Sequence, residues 1–174
     1  MTRSRLAVAA LSALLAVQAL PAFAAGDTKR LGKAGEWESF VYGEGAGKTC
    51  YLAAAAGKVQ GGEKGKTTTY LIVTHRPGAK GFDEVSVNGT YGFKKDSDVE
   101  LQVGAQKFDL FTKGDRAWAR DAAADKAIIA ALRKGKEASL RATPAKGAAL
   151  TASVPLAGFG DALASADKAC GVKR

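Results

Sequence analysis

Histidine is almost missing from this chain: His75 is its sole imidazole, and cysteine is nearly as scarce, with Cys50 and Cys170 alone. A zinc centre takes three or four ligands from Cys, His, Asp and Glu. With the two thiols reserved for each other, His75 would have to recruit carboxylates such as Asp83 and Glu84, so we expect no metal. Ser-His-Asp chemistry is recognised by geometry, and no serine here stands in a nucleophile-elbow context. His75 therefore reads as a strand-end residue held near the Arg76-Pro77 turn. Because no Cys-x-x-C pair exists, redox catalysis is not expected either. Carboxylate pairs such as Asp96/Asp98 and Asp121/Asp125 have ordinary places in a turn and at a helix start. No catalytic centre and no cofactor are expected.

A true phosphate-binding loop is also lacking. The stretch Gly43 to Cys50, GEGAGKTC, imitates one, but the motif needs glycine five residues before its Gly-Lys pair. That position holds Tyr42, and Gly43 comes one residue late. We expect no nucleotide; the glycines turn one strand into the next.

Apolar runs are confined to the start. Arg3 and Arg5 precede an almost unbroken apolar stretch from Leu6 to Leu20, followed by Pro21-Ala22-Phe23-Ala24. A basic beginning, an apolar centre and small residues at the cut site make up a secretory leader. The run falls short of the roughly 20 residues of a membrane span. The sequence thus predicts a leader over 1–24 and one exported domain over 25–174, in the periplasm or cell envelope or secreted. In such an oxidising setting Cys50 and Cys170 are expected to pair. That bridge would restrict the unfolded chain by roughly 5 kcal/mol in the chain-entropy description.

What is abundant is positive charge. Lysine and arginine number 26 against 17 acidic residues, for a net charge of +9. The basic residues are scattered and lack the interleaved aromatics of a nucleic-acid platform, so no nucleic acid is expected. The positive field favours anionic surfaces such as lipid headgroups or acidic glycans, with Lys58, Lys64, Lys66, Lys94 and Lys95 as candidate contacts. A basic protein without an anionic ligand is the competing reading.

Periodicity predicts a mainly β domain: about eight short strands in an antiparallel sandwich or barrel, with two short helices. The strands are read at 37–42, 49–55, 67–75, 83–91, 99–103, 106–112, 137–142 and 149–156. Gly104-Ala105 suits a type II′ hairpin. Residues 56–66 read as a mobile basic loop, and Ala117 to Ala119 as a short apolar piece. Asp121 caps a helix that Gly135 stops, and a second helix runs from Phe159 to about Ala169. Trp37 and Trp118 are expected as core anchors. Asn88-Gly89-Thr90 is a formal glycosylation sequon, though Asn-Gly here reads as a bend.

Several segments in fixed order carry a resemblance. They are Gly35-Glu36-Trp37, Lys48-Thr49-Cys50-Tyr51, the run Tyr70 to Pro77, and Phe108 to Phe111. Ala117 to Asp121, Leu156 to Phe159 and Ala169-Cys170-Gly171 complete the series. The chain resembles the invasion-associated locus B family of exported alphaproteobacterial proteins over nearly all of 25–174. The resemblance implies an envelope or secreted protein, in some pathogens linked to entry into host red cells, with an envelope component or host-cell surface molecule as partner. It brings no catalytic residues. The leading expectation is a non-enzymatic interaction protein. The alternatives are a periplasmic enzyme or enzyme inhibitor using a pocket around His75, and an assembly factor with an exposed apolar groove.

Overall fold

The computed structural model describes residues 27–62 and 67–174. The expected leader over 1–24 lies outside the described residues, as do Lys64 and Lys66. The strands are β1 (Lys29–Ala34), β2 (Trp37–Tyr42), β3 (Thr49–Ala55), β4 (Lys58–Gly61), β5 (Thr69–Arg76) and β6 (Gly81–Gly89). They continue with β7 (Asp98–Val103), β8 (Gln106–Lys113), β9 (Arg116–Trp118), β10 (Glu137–Ala142) and β11 (Leu150–Pro155). Helix α1 (Ala122–Lys134) separates β9 from β10, and α2 (Phe159–Cys170) follows β11.

Among the described residues, all strands join one antiparallel sheet of 11, in the order β1-β2-β3-β5-β6-β9-β8-β7-β10-β11-β4. The mainly β, antiparallel expectation holds, with three strands more than the sequence announces. The additions β1, β4 and β9 are short and carry little alternation, so their partners define them. β1 leans on β2 and β4 on β11 at the two sheet edges, while β9 is inserted between β6 and β8. The 56–66 stretch is therefore not wholly loop, since Lys58–Gly61 is strand.

The link between β3 and β4 shapes the whole molecule. Only Ala56 and Gly57 separate them, yet β3 sits inside the sheet and β4 at its far edge. The Ala56 N–H donates to the Thr69 carbonyl and the Gly57 N–H to the Ser153 carbonyl, handing the chain from β5 to β11. A sheet whose far edge begins two residues from its interior has to roll back on itself.

Strands within the sheet turn one face inward, as the two-residue strand period requires. Leu52, Leu71, Val73, Val85, Val87, Leu101, Leu110 and Leu140 are each fully buried there. Helix α2 packs across β1, β2, β3 and β5, and α1 packs on β6 and β8. Trp37 anchors α2: its ring meets Phe159 edge-on at 4.9 Å, and its Nε1–H donates to the Pro155 carbonyl at 2.9 Å. Asp121 caps α1 by accepting from the Ala124 N–H at 2.8 Å, and Gly104, with φ +58°, turns β7 into β8 as a II′ hairpin requires. The GEGAGKTC stretch makes a 3₁₀ turn, Gly45–Gly47, between β2 and β3.

Candidate functional site

His75 is the next-to-last residue of β5, on its inward side, and is fully buried. Its register partner across the sheet is Cys50 on β3, and Cys50 is bonded to Cys170 at the end of α2 (Cα–Cα 6.0 Å). One helical turn before Cys170, Asp167 places Oδ1 3.1 Å from His75 Nε2. The ring N–H is not aimed along that line, so the contact is an electrostatic approach rather than a formed hydrogen bond. On the other side, Nδ1 accepts the Asp83 backbone N–H at 3.1 Å. A neutral ring that accepts at Nδ1 carries its proton on Nε2, facing Asp167. Burial is the strongest influence and pushes the His75 pKa below its usual value; Asp167 and Asp83 oppose that drop, and Arg174 adds to it.

His75, Asp83 and Asp167 form a donor set whose atoms lie within 4.8 Å of one another, the chemistry of a cation site. The cation they face is Arg174. Its Nε lies 2.6 Å from Asp167 Oδ2, and its two terminal nitrogens lie 3.1 and 2.5 Å from the Asp83 carboxylate. Burial disfavours the charged guanidinium, but these bonds outweigh it and raise the Arg174 pKa further. Of the carboxylates anticipated near His75, Asp83 is there, whereas Glu84 pairs with Arg76 at 2.8 Å on the opposite face. Asp167 escapes sequence reading because it sits among the apolar positions of α2.

The outward face of the sheet carries a different surface. Across β2-β3-β5-β6-β9, a cleft of about 420 Å³ is bounded by aromatic rings and floored by polar side chains. On one side stand Tyr42 and Tyr51, with Phe40 stacked on Tyr51 at 5.0 Å and Tyr42 edge-on at 6.2 Å. On the other stands Trp118, with Phe111 against it at 5.7 Å. Between the two walls, Thr74, Glu84, Ser86 and Asn88 project outward from β5 and β6, and Arg76 and Arg116 flank them. The strand register aligns these groups: Tyr51 opposes Thr74, Thr74 opposes Glu84, and Ser86 opposes Trp118. Asn88 Oδ1 is buried and has no hydrogen-bond partner among the described residues. Burial pushes the Tyr51 phenol pKa up, and Tyr42 adds to the effect.

This arrangement corrects one expectation. Trp37 is a core anchor, but Trp118 is only half-buried and faces outward. Ala117 takes the inward position of β9, and the strand period then turns Trp118 out. Among the expected lysine contacts, Lys58 stands on β4, and Lys94 and Lys95 lie between β6 and β7. All three are exposed, and none lines this cleft.

A model of the invasion associated locus B protein family matches residues 37–167. The chain belongs to that family. It is also similar to the crystal structure of invasion associated protein b from Bartonella henselae, with 21% sequence identity and a TM-score of 0.49. That similarity covers 79% of this chain and 96% of the other. No curated protein matches the chain.

Proposed function

We propose that this family member is an exported, non-catalytic binding protein of the envelope or secreted space, and that it contacts a glycan of the envelope or of a host-cell surface. The outward cleft carries the reading. Aromatic rings offer flat apolar faces for the C–H faces of sugars, while Thr74, Ser86 and Asn88 offer donors and acceptors for hydroxyls. The unpartnered Asn88 oxygen is an acceptor in want of a donor, since buried polar atoms are normally satisfied. Arg116 adds a positive charge suited to an acidic sugar substituent.

His75 fits a structural role. A fully buried ring, with Nδ1 held by the Asp83 N–H and Nε2 facing the Asp167 carboxylate, has no exposure to substrate. The disulfide and the role suggested by the family name agree with work outside the cytoplasm.

Titration of acidic and neutral oligosaccharides onto the purified chain, with Trp118→Ala and Asn88→Ala beside it, tests the proposal. We expect saturable binding of an acidic glycan by the wild type and at least tenfold weaker binding by Trp118→Ala. Identical retention by wild type and both variants would overturn it.

A further inference from the structure

A second cleft, of about 650 Å³, opens where α1, the start of β6 and the segment after α2 meet. Nothing in the sheet-face reading uses it. Its floor is apolar: Phe82, which is 43% exposed, with Ile129, Ala130 and Val172. The charges around it are Lys126, Arg133, Lys173, Arg174 and Asp83. Arg174 and Asp83 are already bonded to each other. Lys126, Arg133 and Lys173 are exposed and have no acidic partner among the described residues.

The segment that forms one wall is held in place. The Val172 N–H donates to the Asp167 carbonyl at 2.9 Å, and Arg174 is tied to both Asp83 and Asp167. The cleft is therefore standing before any ligand arrives, which lowers the cost of ordering on binding. Its volume lies within the roughly 300–1,000 Å³ of small-molecule pockets.

An apolar floor without hydrogen-bonding side chains, beneath uncompensated ammonium and guanidinium groups, calls for a ligand of matching construction. We propose that this cleft binds a single-chain anionic amphiphile, with a long-chain fatty acid as occupant. The aliphatic chain covers Phe82, Ile129, Ala130 and Val172. The carboxylate meets Lys126, Arg133 and Lys173 at the rim. The guanidinium of Arg133 can take a carboxylate through two parallel hydrogen bonds.

The test is displacement of a fluorescent long-chain fatty acid by oleate on the delipidated full chain. Oleate should bind saturably, one molecule per chain. Ala130→Trp, which fills the floor without changing charge, should abolish binding. Lys126→Glu combined with Arg133→Glu should weaken it at least tenfold, and monoolein, with the same chain and a neutral head, should compete at least tenfold less well. All three substituted side chains are exposed, and Lys173→Glu lies outside any helix or strand, so one informative variant remains if a helix change prevents folding. Lack of saturable oleate binding, unchanged binding by Ala130→Trp, or equal competition by monoolein would each overturn the proposal. Displacement by lysophosphatidate but not oleate would overturn the carboxylate assignment.

Discussion

Cys50 and His75 stand opposite each other on β3 and β5, and both reach across to α2. Cys50 does so covalently, through Cys170; His75 does so through Asp167, one turn earlier on the helix. The end of α2 is thus fixed to a single spot on the sheet twice, once by a covalent bond and once by a close polar approach. Arg174, four residues beyond Cys170, extends the second attachment to Asp83 on β6.

Replacing both cysteines by alanine removes the covalent attachment and leaves the charged one. The bridge spans 120 residues of sequence, and loss of such a bridge costs about 2–5 kcal/mol. Urea unfolding should show a midpoint lowered accordingly. The far-ultraviolet circular dichroism should be preserved, because the apolar face of α2 still packs on β1, β2, β3 and β5.

Arg174→Ala leaves the Asp83 and Asp167 carboxylates without their cation in a largely buried setting. Removing one member of such a buried pair costs about 3–5 kcal/mol, and the 26% exposure of Arg174 lowers that expectation to about 2–3 kcal/mol. Arg174→Lys should recover only part of it, since an ammonium cannot serve two carboxylates with a planar fork. Equal stability of wild type and Arg174→Ala in denaturant titrations would show the network to be ornamental.

The Asp125 carboxyl accepts the Val85 N–H at 2.8 Å and is pushed up to about 6, chiefly by burial, with Glu84, Asp83 and Asp121 adding to the effect. An unfolded aspartate titrates near ~3.9. Between about pH 4 and 6 the native chain therefore holds more protons than the unfolded one, so this group makes stability fall as pH rises through that window. Asp125→Asn keeps an acceptor for Val85 and removes the penalty. We expect a gain of about 1 kcal/mol at pH 7, discounted for partial exposure.

His75 works in the opposite direction. Its pKa is lowered on folding, so below about pH 6.5 the unfolded chain takes up the proton first and stability falls with falling pH. In Asp125→Asn, unfolding free energy measured from pH 8 downward should expose this slope free of the carboxyl's opposing one.

Gly158, with φ +87°, precedes α2, and a Cβ there would run into the Ala34 carbonyl; Gly35, with φ +58°, has the reciprocal conflict with the Ala157 carbonyl. Gly158→Ala should cost about 2–3 kcal/mol, because the backbone on both sides has to move. Gly160→Ala, two residues on and in open space within α2, should instead stabilise by up to about 1 kcal/mol. Opposite shifts in melting temperature for this pair are the expected result.

Legibility in the sequence follows the source of order. Val99, Leu101 and Val103 alternate, so β7 and the hairpin at Gly104 can be read directly, and Asp121 and Gly135 bracket α1. β1 and β4 carry Lys and Gly and acquire strand form only from β2 and β11, which no local window contains. The outward positions of Ser86 and Asn88 are evident from the strand period. Their meeting with Tyr51 and Trp118 depends on the register of four strands and is not. Asp167 is hidden for a related reason: its partners, His75 and Arg174, converge only after α2 has docked.

The bond between β3 and α2 also sets an order of events during synthesis. Cys50 is made 120 residues ahead of Cys170, so its thiol has no legitimate mate for most of the time the polypeptide is being delivered. Whatever oxidant acts on the nascent chain meets a lone sulfur first, and any early linkage must be to a foreign molecule and must later be undone. The native bridge can therefore close only once α2, the last element of the fold, has been made.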